Sequence, residues 1–154
     1  MTKLFDKTNY TGQLVNGSPD GQGKLTNPNG SYYEGQWKNG RFDGYGTYRW
    51  SNGNVYRGQW KNGKMHGKGT LTFSDGSVYE GDFYNHQCTG HGTMHYSDGS
   101  RYEGEWENGR RSGHGTMYNH DGTVDGGTWF MDGLLFDCDS FGTLFDFSDD
   151  SDQD

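Results

Sequence analysis

Apolar and polar positions alternate along most of this chain in short runs, and the runs return every 23 residues. Residues 56–78, YRGQWKNGKMHGKGTLTFSDGSV, show the unit most clearly. Side chains alternate across a strand, so Tyr56, Gly58 and Trp60 share one face while Arg57 and Gln59 point away. The return run places Met65, Gly67, Gly69, Leu71 and Phe73 on one face and His66, Lys68, Thr70 and Thr72 on the other. Asn62-Gly63 and Asp75-Gly76 separate the runs, and such dipeptides supply the positive φ angles of tight turns. Each unit therefore predicts one β-hairpin with an apolar face that continues round the turn.

The neighbouring units keep step. Tyrosine recurs at Tyr10, Tyr33, Tyr56, Tyr79 and Tyr102, and the aromatic four places on recurs as Trp37, Trp60, Phe83, Trp106 and Trp129. Glycine columns run through Gly35, Gly58, Gly81 and Gly104, and through Gly46, Gly69, Gly92 and Gly115. Glycine weakens a strand unless something must approach its backbone closely. Rings from adjacent strands laid over glycine floors meet that condition. A fixed period of this length marks a repeat array in which each unit buries surface by stacking on the next. At roughly 4.8 Å between strands, six hairpins predict a rod about 55 to 60 Å long.

YEGQWKNGRFDGYGT from Tyr33, YRGQWKNGKMHGKGT from Tyr56 and YEGEWENGRRSGHGT from Tyr102 closely resemble the MORN repeat family. The resemblance implies an all-β fold, an elongated single-layer twisted antiparallel meander of about six 23-residue hairpins. It also implies scaffolding, membrane-associated organisation or peptide binding, with no catalytic activity. Five repeats are expected at residues 10–32, 33–55, 56–78, 79–101 and 102–124. Residues 1–9 read as a partial N-terminal cap, and Leu14 replaces Trp in the first repeat, as terminal repeats often vary. Residues 125–147 start in register with Gly127 and Trp129 and then lose it. They form either a degenerate sixth hairpin or an irregular cap over the sheet edge. Residues 148–154 are an acidic tail.

Composition changes this picture little. Only 28% of residues are hydrophobic and 28 are glycine, which alone leans towards disorder, but 16% are aromatic and periodically placed. Residues 1–9 contain no apolar leader core, and no run approaches the roughly 18 apolar residues that span a bilayer. A soluble, intracellular and cytoplasmic protein is expected, associated with cytoskeleton or membrane surface. Two cysteines build no disulfide framework, which fits a reducing compartment.

Charge matters more once divided. All 13 Lys and Arg precede Asp132, as do 13 of the 21 acidic residues, so the net charge of −8 lies wholly in the last 23 positions. Within the repeats, Lys38, Arg41, Arg49, Arg57, Lys61, Lys64 and Lys68 make the early part positive, and acids dominate from Asp75 to Glu107.

Two surfaces follow as candidate sites. The aromatic stripe of Tyr33, Trp37, Trp50, Tyr56, Trp60, Phe73, Tyr79, Phe83, Tyr96, Tyr102 and Trp106 is read as a groove for a partner peptide or helix, with packing over glycine as its structural role. The basic residues Lys38, Arg41, Lys61, Lys64 and Lys68 are candidates for anionic lipid or an acidic peptide, or else a charged edge that blocks aggregation. The leading expectation is a non-enzymatic adaptor for a protein partner. The alternatives are a membrane-surface organiser that binds phosphoinositide and a self-associating rod in which basic repeats meet the acidic tail.

The remaining clusters carry less. His86, Cys88 and His91 form an HxCxxH run, but zinc needs three or four converging ligands and no spacing brings Cys138 near. No metal or other cofactor is expected. Glu103, Glu105 and Glu107 share the polar side of one strand and read as a solvated face, because acid-base catalysis needs a cleft and two unlike environments. A neutral body with an acidic end lacks the positive footprint of a nucleic-acid binder.

Overall fold

A computed structural model describes residues 9–129. Their regular structure is all strand: β1 (Tyr10–Val15), β2 (Ser18–Thr26), β3 (Tyr32–Lys38), β4 (Arg41–Arg49), β5 (Val55–Lys61), β6 (Lys64–Thr72), β7 (Val78–Tyr84), β8 (Gln87–His95), β9 (Arg101–Glu107), β10 (Arg110–Tyr118) and β11 (Val124–Trp129). They form one open sheet whose spatial order is the chain order, and every neighbouring pair is antiparallel. The meander expected from the alternation is present. β11 pairs with the last strand of the fifth hairpin; residues 1–8 of the expected N-terminal cap, residues 130–147 of the expected sixth hairpin or cap, and the acidic tail lie outside the described residues.

The hairpin turns explain the Asn-Gly pairs. Asn16, Asn39, Asn62 and Asn108 have φ of 50 to 52° and the glycines after them 81 to 85°, the two positive values of the turn whose twist matches paired strands. In the fourth hairpin Asn85 at 51° is followed by His86 at 74°, so a side chain occupies a glycine conformation.

Each hairpin also contains an irregularity that alternation does not reveal. Gly35 pairs with Gly46 and Trp37 with Phe42, so residues 43–45 together face Gln36. The bulge turns on Gly44, whose φ is +98°, a conformation that favours glycine. The Tyr45 N–H, displaced from the ladder, donates to Gln36 Oε1 at 2.7 Å. Gln13, Asp82 and Glu105 accept from the Gln22, His91 and His114 N–H groups in the same way. The residue three places after Tyr10, Tyr33, Tyr79 and Tyr102 is thus a backbone cap.

The core lies on one face of this single layer. Tyr33 covers the return strand so closely that a Cβ on Gly46 would overlap its hydroxyl. That hydroxyl donates to the Gln36 carbonyl at 2.7 Å, and Tyr56 repeats the bond to Gln59 at 2.8 Å. Burial pushes both phenols above their ordinary range, so they remain donors. Trp37, Trp60 and Trp106 each meet their own repeat's tyrosine and that of the preceding repeat edge-on. Trp60 lies 5.1 Å from Tyr56 and 5.4 Å from Tyr33. Such contacts add about 0.5 to 1.5 kcal/mol each beyond burial. Trp37, Trp60 and Trp106 also donate Nε1–H to the carbonyls of Gly23, Gly46 and Gly92, which ties the second, third and fifth repeats each to the one before.

Candidate partner-binding site

The structure brings the whole aromatic stripe onto one face, but most of it is core. Tyr33, Tyr56, Tyr79 and Tyr102 are 0% exposed, and Trp37, Trp50, Trp60, Phe83 and Trp106 are 3 to 5% exposed. Only Phe73 and Tyr96 are half-buried. These two belong with Trp50 to a column at the rim, where the connectors between hairpins begin. Asn27, Trp50, Phe73, Tyr96 and Asn119 each donate a backbone N–H to the residue four places on. Rings fill the middle three positions and amides the two ends. The rim is where the apolar face meets solvent.

The basic residues divide differently. Lys38, Arg41 and Lys61 line an open trough of about 830 Å³ between the second and third hairpin turns, together with Asp43, Trp60 and His66. Asp43 Oδ2 accepts the Asn62 N–H at 3.2 Å, which holds the two turns together. Lys68 points elsewhere and pairs with Asp82. Lys64 acts on His86. Three of the five sequence-derived cations therefore share a site. The polar face carries exposed rings as well, Tyr45 at 52% and Tyr84 at 57%, which alternation had assigned only to the outward side.

The other clusters come apart. Glu103 pairs with Arg101 at 2.8 Å while Glu105 caps its bulge. Among the described residues no three His, Cys, Asp or Glu side chains are grouped to hold a metal. Cys88 is fully buried on the apolar face and disulfide-bonded. Connectivity of this kind depends on tertiary geometry that spacing does not carry.

His86 yields a direct prediction. Its ring is buried 6.5 Å from Trp60, and its Nδ1 accepts from the Met65 N–H at 3.4 Å. Burial, with the Lys64 charge second, holds the imidazole down to about 4 from 6.5. Between those values the unfolded chain takes up a proton that the folded chain refuses, so stability falls as pH falls through that window. The loss should reach about 2 kcal/mol by pH 5. Urea unfolding at pH 7 and pH 5 measures it, and His86→Asn, which tolerates positive φ, should flatten the dependence.

The sequence of each hairpin matches the MORN repeat, at residues 10–32, 33–55, 56–78, 79–101 and 102–124. The chain belongs to the MORN-repeat family. MORN repeats are a non-enzymatic family of protein- and membrane-interacting scaffold repeats. No curated protein matches this MORN-repeat chain. One solved structure that matches is the SAS-4 (dCPAP) TCP domain of Drosophila melanogaster in complex with a proline-rich motif of Ana2 (dSTIL). The identity is 12%, over 71% of this chain and 86% of that one, at a TM-score of 0.23. A similarity that low supports no conclusion about this chain.

Proposed function

We propose that this MORN-repeat protein is a non-enzymatic scaffold that holds a peptide segment or helix of a protein partner against its apolar face. The carrying observation is the pair of half-buried rings at the rim, Phe73 and Tyr96, set beside a core that runs the length of a one-layer sheet. An apolar sheet face is normally completed by a second layer, and aromatic side chains partly open to solvent are the residue type that anchors partners. The buried Tyr and Trp columns supply a rigid floor for such a partner.

A second reading rests on the trough. Lys38, Arg41 and Lys61 around one open concavity suit the phosphate of an anionic lipid headgroup. One set of variants separates the readings. Phe73→Ser with Tyr96→Ser should abolish capture of a protein from native lysate by the intact chain while circular dichroism stays unchanged, and Lys38→Glu with Lys61→Glu should leave capture intact. If the charge variant alone lost capture, or lost low-salt sedimentation with phosphatidylserine vesicles, the trough would be the site.

A further inference from the structure

Six Asn-Gly pairs punctuate the chain, beginning at Asn16, Asn29, Asn39, Asn52, Asn62 and Asn108. Such a pair carries chemistry besides its turn geometry, because glycine has no side chain to keep its backbone nitrogen away from the asparagine carboxamide. Attack by that nitrogen requires it to give up its proton and the backbone to rotate. A hydrogen bond from the glycine N–H to a fixed carbonyl opposes both.

Five of the six pairs have that bond. Gly40, Gly63 and Gly109, in the second, third and fifth hairpin turns, donate to the Pro19, Phe42 and Cys88 carbonyls of the preceding repeat at 2.9 to 3.0 Å. The asparagines before them are held as well, since the N–H groups of Asn39, Asn62 and Asn108 donate to Asp20, Asp43 and Thr89 side chains. In the connectors, Gly30 and Gly53 donate to the Asn27 and Trp50 carbonyls at 2.9 and 3.0 Å, while Asn29 and Asn52 Oδ1 accept from the Ser31 and Asn54 N–H groups.

The first hairpin turn differs. Among the described residues the Gly17 N–H donates to nothing. Asn16 and Gly17 are both exposed, whereas Gly40 and Gly109 are buried. β1 stands at one end of the order of described strands, and a hairpin at such an edge opens more readily than one flanked on both sides.

We propose that Asn16 is a modification site, at which the folded chain deamidates itself. The Gly17 nitrogen loses its proton to solvent and bonds to Asn16 Cγ; the Cγ–Nδ2 bond breaks and the amide leaves as ammonia, which gives a cyclic succinimide. Water then opens the ring at either carbonyl, to aspartate or to isoaspartate, with no change of oxidation state. Both products place a negative charge at the turn. Isoaspartate also lengthens the backbone by a methylene where the turn holds Asn16 at φ of 52°, so the turn no longer matches the strands that it joins. The first hairpin loosens while the later ones keep their turns.

Asn29 is the internal control, because Asn29-Gly30-Ser31 repeats the sequence of Asn16-Gly17-Ser18. The intact protein is held in mildly alkaline buffer at physiological temperature and sampled over weeks. Peptide mapping with electron-transfer fragmentation then reads the amide-to-acid mass change and the isoaspartate signature at each pair. Asn16 should convert several-fold faster than Asn29 in the folded protein, and the two should convert at the same rate in concentrated urea, where both glycine N–H groups are released. No conversion at Asn16, or folded-state conversion at Asn29 that is as fast, would overturn the proposal. An Asn16 lead that survives undiminished in urea would overturn it too, since the fold would not be its cause.

Discussion

Gly58→Ala should destabilise the protein by about 3 kcal/mol or more, at the upper end for overpacking. A Cβ at this position would stand 2.5 Å from the Gly69 Cα and 2.6 Å from the Lys68 carbonyl oxygen. Both are backbone atoms, so neither can yield as a flexible side chain would. The strands themselves must separate, and with them the seat of the Tyr56 hydroxyl, 2.6 Å from the same point. Gly63→Ala is the control. Gly63 has φ of +84° and nothing within 4 Å of a Cβ, so only backbone strain of about 1 kcal/mol applies. Urea denaturation of the two variants decides the matter. Equal losses would mean that close strand approach at the glycine pair is not what the fold depends on. Against a total stability of about 5 to 15 kcal/mol for an ordinary domain, the larger loss would also uncouple neighbouring repeats, since each holds only those beside it.

Trp60→Ala should cost about 3 to 5 kcal/mol. The indole fills the junction of two repeats, 5.4 Å from Tyr33, 5.2 Å from Phe42 and 5.1 Å from Tyr56, and donates Nε1–H to the Gly46 carbonyl at 3.1 Å. Trp60→Phe keeps most of the ring and loses the bond, for about 1 kcal/mol. The fourth repeat already carries Phe83 at this position, 3% exposed and 5.2 Å from Tyr79. Guanidinium unfolding of both variants measures the difference. If Trp60→Phe were as damaging as Trp60→Ala, the hydrogen bond between repeats would outweigh ring packing. The size of the alanine effect also means that partner binding is tested at the rim and not at the floor, where loss of binding and loss of fold coincide.

Much of this architecture was legible because it follows from two local regularities. Alternation from Tyr56 to Trp60 fixed the apolar face, and Asn62-Gly63 fixed the turn, so the meander needed no long-range information. The column of Tyr33, Tyr56, Tyr79 and Tyr102 over glycine was also readable, since a glycine among bulky neighbours in a strand marks a place where another group lies against the backbone. The bulge was not readable. Gln36 and Glu105 alternate outward like any solvated residue, and their capping of the Tyr45 and His114 N–H groups emerges only once the register slips. A signal was nonetheless present, because Gln13, Gln36, Gln59, Asp82 and Glu105 all carry a side-chain oxygen at one column.

The placement of the aromatic stripe on one face was legible, and its depth of burial was not, for a physical reason. Periodicity tells which side chains share a face but not how deeply each is covered, and Trp37, Trp60 and Trp106 prove to be interior residues. The connectors between hairpins decide which rings reach solvent, and they break the alternation after Arg49, Thr72 and His95. Hence Phe73 and Tyr96 stand apart from the stripe that they extend in the sequence. The basic edge resolves similarly, since the bulges gather Lys38, Arg41 and Lys61 around one trough while Lys68 is drawn to Asp82.

The most direct test of the scaffold reading replaces Phe73 with photoreactive benzoylphenylalanine, and Tyr45 on the opposite face in a second protein, then irradiates each intact chain in native lysate. A discrete partner adduct is predicted from position 73 and none from position 45. Adducts from position 45 alone would place the partner on the polar face and contradict the reading.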